Sequence, residues 1–173
     1  MVTGAASGVG RYAAAQLAAR GARVAAIDID EDGLRTLATI SPLITPFVCD
    51  VGDEAAARRA VQGARTAVGP FGQVVHCAGI APLGRVLEQC TADFERAMRV
   101  NYLGTVHVAR AAVPVLTETG GGSFIAIASI AGWIPLSCCQ LEVPGQRAGV
   151  IGPPGTRAGR GRESAEKIVC QHG

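Results

Sequence analysis

The chain has 173 residues, 49% of them hydrophobic and 17% charged, and its formal net charge is +2. That length supports one domain with a sizeable core, and so small a charge excess argues against a nucleic-acid binder or a membrane-surface protein. No apolar run reaches the roughly 18 residues of a transmembrane helix, and the first residues lack the basic and apolar regions of a signal peptide.

Met1-Val2-Thr3 reads as the end of a strand whose beginning is short. The alanine-rich stretch from Gly8 to Arg20 is a strong helix former, and Gly21 stops it. Arg23 to Asp28 is almost continuously apolar, the pattern of a strand buried on both faces. A short helix is expected over Asp30 to Ala38 and a third strand over Ile44 to Cys49. Asp53 suits the N-cap of a helix running to about Val68, ended by Gly69-Pro70. Gln73 to Cys77 is a fourth strand. A long helical region starts at Thr91-Ala92-Asp93, with Phe94, Met98, Tyr102 and Thr105 recurring at helical spacing. It ends before Gly120-Gly121-Gly122, and Phe124 to Ala128 is a fifth strand.

Strands alternating with helices predict a parallel sheet with right-handed crossovers. The fold class is therefore α/β, a doubly wound, Rossmann-like sheet, incomplete in that its first strand is shortened and its last strands are absent. A sheet left open in this way predicts marginal folding. The expected organisation is a cofactor-binding domain over residues 1–136 and an atypical tail over residues 137–173. The composition changes near Pro144: residues 1–143 carry a net charge of −1, and residues 144–173 carry +3 with 7 of the 23 glycines. Such a Gly/Pro/Arg-rich stretch is expected to be disordered.

The six cysteines form no CxxC pair and no Cys/His cluster with zinc spacing, so no metal is expected. Cys49 and Cys77 lie in apolar runs, where a thiol behaves as a small hydrophobe. With no targeting signal in view, a reduced, cytoplasmic protein is expected.

The chemistry starts at Thr3-Gly4-Ala5-Ala6-Ser7-Gly8-Val9-Gly10. A glycine-rich turn between a strand and a helix lets backbone N–H groups approach a pyrophosphate, and the helix N-terminus adds positive potential. Gly4 suits the tight turn, Gly8 the close approach and Gly10 the packing of helix on strand. Asp28, followed by Ile29, closes the second strand, where a carboxylate can accept from both ribose hydroxyls of an adenosine and repel a 2′-phosphate. NAD is thereby favoured over NADP, and Ser7, not being basic, agrees. The competing reading of Asp28 is a solvated acid in the run to Asp32. Asp50 could meet an adenine amino group or act as a turn residue. Ser129 is either a site residue or a strand-end turn.

Together these residues resemble a short-chain dehydrogenase/reductase. The TGxxxGxG turn matches Thr3 to Gly10, the acid after strand two matches Asp28, and the Asp-Val pair after strand three matches Asp50-Val51. The NNAG motif is represented by His76-Cys77-Ala78-Gly79, with both asparagines, which bond neighbouring strands in the family, replaced. Asn101 matches the helix asparagine that holds a proton-relay water, and Ser129 the serine that bonds the substrate carbonyl. The resemblance implies an NAD-dependent oxidoreductase acting on a small-molecule alcohol or carbonyl, with catalytic positions Ser129 and Asn101. It implies cofactor contacts at Gly4, Ser7, Gly8, Val9 and Gly10, at Asp28, Ile29, Asp50 and Val51, and at Cys77, Ala78 and Gly79. Relatives of full length often assemble as homo-oligomers, which the partly absent interface helices put in doubt here.

The family also uses a tyrosine base with a lysine one helical turn later, on the helix following the serine. Here that stretch reads Leu136-Ser137-Cys138-Cys139-Gln140-Leu141-Glu142. The only tyrosines are Tyr12 and Tyr102 and the only lysine is Lys167, so no Tyr-x-x-x-Lys exists. Cys139 and Glu142 have no evident activating partner to make either a substitute base. Impaired catalysis is expected, with a non-catalytic NAD-binding module or a non-functional product as alternatives. The change inside a motif at Leu136–Pro144 resembles translation in a shifted reading frame. A basic tail that docks on a partner is the other reading, though it lacks the interleaved aromatics that favour single-stranded nucleic acid.

Overall fold

The computed structural model describes residues 1–82, 88–118 and 120–129. The tail beyond residue 129, including Cys139, Glu142 and the expected boundary at 136, lies outside the described residues. Five parallel strands, β1 (Val2–Thr3), β2 (Val24–Asp28), β3 (Ile44–Val48), β4 (Gln73–His76) and β5 (Ser123–Ala126), form one sheet in the order β3-β2-β1-β4-β5. Helices α1 (Gly8–Ala19), α2 (Glu31–Ala38) and α3 (Glu54–Val68) connect the first four strands. Between β4 and β5 run α4 (Thr91–Ala97), a π-helical segment (Met98–Leu103) and α5 (Gly104–Glu118). The expected doubly wound α/β fold is thus observed, and β1, two residues long, pairs with both β2 and β4 at its centre.

Each β2 side chain alternates between two cores. Val24 and Ala26 join α1 and α2 residues such as Ala14, Leu34 and Leu37. Ala25 and Ile27 join α3 and α5 residues such as Val61, Val108 and Val115. A strand buried on both faces must be apolar at every position, which is why β2 reads as an unbroken apolar run. The helix starts follow the side chains that satisfy their free amides. Asp30 accepts from Gly33 N at 3.0 Å, and Asp53 accepts from Ala56 N at 2.9 Å.

The helical stretch before β5 does not bury the side on which Met98 and Tyr102 recur. Met98 and Tyr102 are 39% and 37% exposed, while Ala97, Asn101, Gly104, Val108 and Ala112 point inward. Small residues win the inner face because the helix lies close to its neighbours. A Cβ on Gly104 would come within 2.8 Å of Val51 Cγ2. The extra residue per turn in the π segment also shifts the register of the face.

His76 stands where the family has its first asparagine. The imidazole is 3% exposed, and its Nδ1 lies 2.7 Å from Thr3 Oγ1 on the adjacent strand. Ala78 N donates to the same hydroxyl at 3.3 Å, and the ring stacks on Phe124 with centroids 6.1 Å apart. A bond from this position to β1 therefore persists with a different side chain. Nε2 is buried without a hydrogen-bond partner.

Candidate functional site

The chain leaves β1 for β2 and β3 on one side and reaches β4 and β5 on the other, so the connections diverge between β1 and β4. In a doubly wound sheet, ligands bind in the crevice at such a switch point, beyond the carboxyl ends of the strands. A cleft of about 550 Å³ lies there. The structure brings all the expected cofactor positions to its wall: Gly4, Ser7, Gly8, Val9 and Gly10 from the first turn, Asp28 and Ile29 after β2, Asp50 and Val51 after β3, and Cys77, Ala78 and Gly79 after β4.

The first turn is shaped by what its glycines lack. Gly4 has φ of 66°, and a Cβ on it would stand 2.7 Å from Ala78 N on the neighbouring loop. Gly8 has φ of 49°, with nothing within 4 Å of the Cβ position, so its backbone borders open space. Ser7 caps α1 with extended backbone but no side-chain hydrogen bond, and the first turn of α1 carries no acid. The amides at the start of α1 are therefore left to another acceptor, with the positive end of the helix behind them.

Asp28 is tied to that turn. Its Oδ2 accepts from Ala6 N at 2.9 Å and its Oδ1 from Asp30 N at 3.0 Å. Each carboxylate oxygen keeps a further lone pair for a ligand hydroxyl. Asp50 is both of the things its sequence position allows: it is a turn acceptor, taking a bond from Gly52 N at 2.8 Å, and it faces the cleft. Burial pushes the Cys49 and Cys77 thiols up to about 11, so both stay protonated near neutrality and serve as packing groups rather than nucleophiles.

Neither Asn101 nor Ser129 lines the cleft. Asn101 lies in the π segment, donating Nδ2–H to Ile80 O and accepting from Ile80 N, both at 2.8 Å. It thereby holds the loop after β4, whose Gly79 and Ile80 do line the cleft. Ser129 is half-buried, two residues beyond the cleft residue Ile127. Sequence reading missed Cys49, Ile80, Arg96, Arg99, Val100 and Ile127 as wall residues. Arg96 and Arg99 are spaced three apart on one helical face, a signal that exists only once that helix is placed over the β3–α3 loop.

The sequence pattern described as short chain dehydrogenase matches residues 1–140. The chain belongs to that family. It is 37% identical over 173 residues to a (3R)-3-hydroxyacyl-CoA dehydrogenase of Mus musculus, covering 91% of this chain and 66% of that one. It is 33% identical over 156 residues to a D-threitol dehydrogenase of Mycolicibacterium smegmatis, covering 88% and 60%. The crystal structure of gox2181 superimposes with a TM-score of 0.80 at 25% identity, covering 86% of this short chain dehydrogenase family member and 60% of that chain. The chain therefore spans about two thirds or less of the length of these relatives. Members of this family are oxidoreductases that use NAD(P) with small-molecule substrates. No described helix is long and apolar enough to cross a membrane, and among the described residues no His/Cys/Asp/Glu group is arranged to hold a metal ion.

Proposed function

We propose that this chain binds NAD in the cleft between β1 and β4 and that, with the residues it carries, it turns over substrate poorly or not at all. The placement of Asp28 carries the first half. Two backbone amides hold its carboxylate at the edge of the glycine turn, where it would accept from the adenosine ribose and repel a 2′-phosphate. The cleft suits the rest of the cofactor. Uncapped amides at Gly8 to Gly10 would hold the pyrophosphate, Asp50 would accept from the adenine amino group, and Ile29 and Val51 would border the base. Cys77, Ala78 and Gly79 offer backbone beside it. When bound, NAD supplies a hydride acceptor at its nicotinamide ring.

Oxidation of an alcohol also needs a base for the hydroxyl proton. Ser129 and Asn101 stand at family positions for bonding a substrate carbonyl and for the proton relay. The family's base and its lysine have no counterpart in residues 130–143. The chain's assigned part in an alcohol or carbonyl oxidoreductase is thus cofactor binding, carried by residues 1–136, in a reduced cytoplasmic setting.

Calorimetric titration tests this. Saturable NAD binding is expected, tighter than NADP binding, with Asp28→Ala weakening NAD at least about tenfold, the loss of hydrogen bonds to a charged acceptor. Absence of NAD binding would leave the reading without support. Turnover on a panel of alcohols, abolished by Ser129→Ala, would show the inactivity half to be wrong.

A further inference from the structure

We propose that Arg99 is a positioning residue for base recognition: it fixes the Asp50 carboxylate as an acceptor and so selects adenine over a 6-oxo purine. This rests on the dinucleotide reading above. Arg99 Nη1 donates to Asp50 Oδ2 at 2.9 Å while Gly52 N donates to Oδ1 at 2.8 Å. The carboxylate is gripped at both oxygens, from its own turn and from the π segment. The stem of Arg99 lies over the same turn, since a Cβ on Gly52 would stand 3.1 Å from Arg99 Cγ and 3.2 Å from its Nη1. Both residues border the cleft.

The pair is of little use to the fold. Its side chains are 48% and 30% exposed, and ion pairs so open to water stabilise a protein weakly. The β3–α3 loop is already docked on α5 by other means. His107 Nδ1 lies 3.0 Å from Val51 O, and Gly104 packs on the Val51 side chain. What Arg99 adds is orientation of one carboxylate. A carboxylate only accepts, so it rewards a base with an amino donor at the contacted edge and opposes one with a carbonyl there. Adenine carries the amino group; hypoxanthine carries the oxygen. Arg96 borders the cleft with the same charge but bonds Asp93, at 3.3 Å, rather than Asp50.

The test titrates the full chain with NAD and with nicotinamide hypoxanthine dinucleotide, which differ only at that edge. The wild-type chain is expected to prefer NAD by roughly tenfold or more, the scale of a hydrogen bond to a charged acceptor. Arg99→Ala should cut the preference to a few-fold with little change in Tm, and Arg99→Lys should retain more of it. Arg96→Ala should weaken both ligands alike and keep their ratio. An undiminished ratio in Arg99→Ala overturns the positioning role. Equal weakening of both ligands by Arg99→Ala also overturns it, since Arg99 would then touch a part they share. Equal affinities in the wild type show that Asp50 does not read the base. No binding of either dinucleotide by the wild type sinks the underlying cofactor reading instead, and this inference with it.

Discussion

Between pH 6.5 and pH 4 the wild-type chain is expected to lose about 3 kcal/mol of stability that a His76→Asn variant keeps. Burial holds the His76 imidazole down from 6.5 to about 4 in the fold. The unfolded chain therefore takes up this proton near 6.5, while the folded chain resists it until about 4. Over that window the unfolded state binds more protons, so stability falls as pH falls, by about 1.4 kcal/mol per unit. Above pH 6.5 the contribution is fully present. The physical cause is visible around the ring: one nitrogen is satisfied by Thr3 Oγ1, the other is buried without a partner, and Phe124 covers a face. Asparagine restores the family's residue, can still bond Thr3, and does not titrate. Urea unfolding of the two proteins at pH 7, 5.5 and 4 measures the difference. Stability curves that run parallel would show that the buried ring is not what acid attacks.

The same residue marks a limit of reading by sequence. His76 in place of an asparagine reads as a lost bond, because sequence does not show that an imidazole at that point spans the same gap to Thr3. The glycine turn was legible because each glycine answers a local demand, a positive φ at Gly4 and Gly8 and contact with backbone at Gly10. Asp53 was legible as a cap for the same reason: it bonds an amide three residues away. The fold followed from β2, whose apolar run on both sides of the sheet is itself the mark of a parallel arrangement. The inner face of the α4–α5 stretch was not legible. Met98 and Tyr102 recur at helical spacing without marking that face, and close packing on Val51 admits only glycine at 104. Arg99 was invisible for a related reason, since its partner Asp50 lies 49 residues away and meets it only when the π segment crosses the β3–α3 loop.

Two glycines of one turn should fail in different ways when given a methyl group. Gly10→Ala is expected to cost the fold about 3 kcal/mol, the upper range for forcing atoms into a packed site. Its Cβ would overlap Gly4 O and stand 2.6 Å from Gly4 C and 3.1 Å from Thr3 O. All three are backbone atoms and none can rotate aside. Relief requires α1 to lift from β1, which separates Ala14 and Ala18 from Val2 and Ala26 in the core beneath. Gly8→Ala meets nothing within 4 Å, so its cost is the left-handed backbone alone, about 1–2 kcal/mol. That methyl group instead borders the cleft at the helix N-terminus, where the pyrophosphate of the proposed cofactor would approach the amides. NAD affinity in Gly8→Ala should therefore fall at least about tenfold, or about 1.4 kcal/mol, while the fold survives. Thermal melts and NAD titrations of both variants separate the two effects. If Gly10→Ala melts with Gly8→Ala, the helix is not pressed on the turn as described. If Gly8→Ala binds NAD like the wild type, the phosphates do not cross this turn, and the amides of α1 serve some other acceptor.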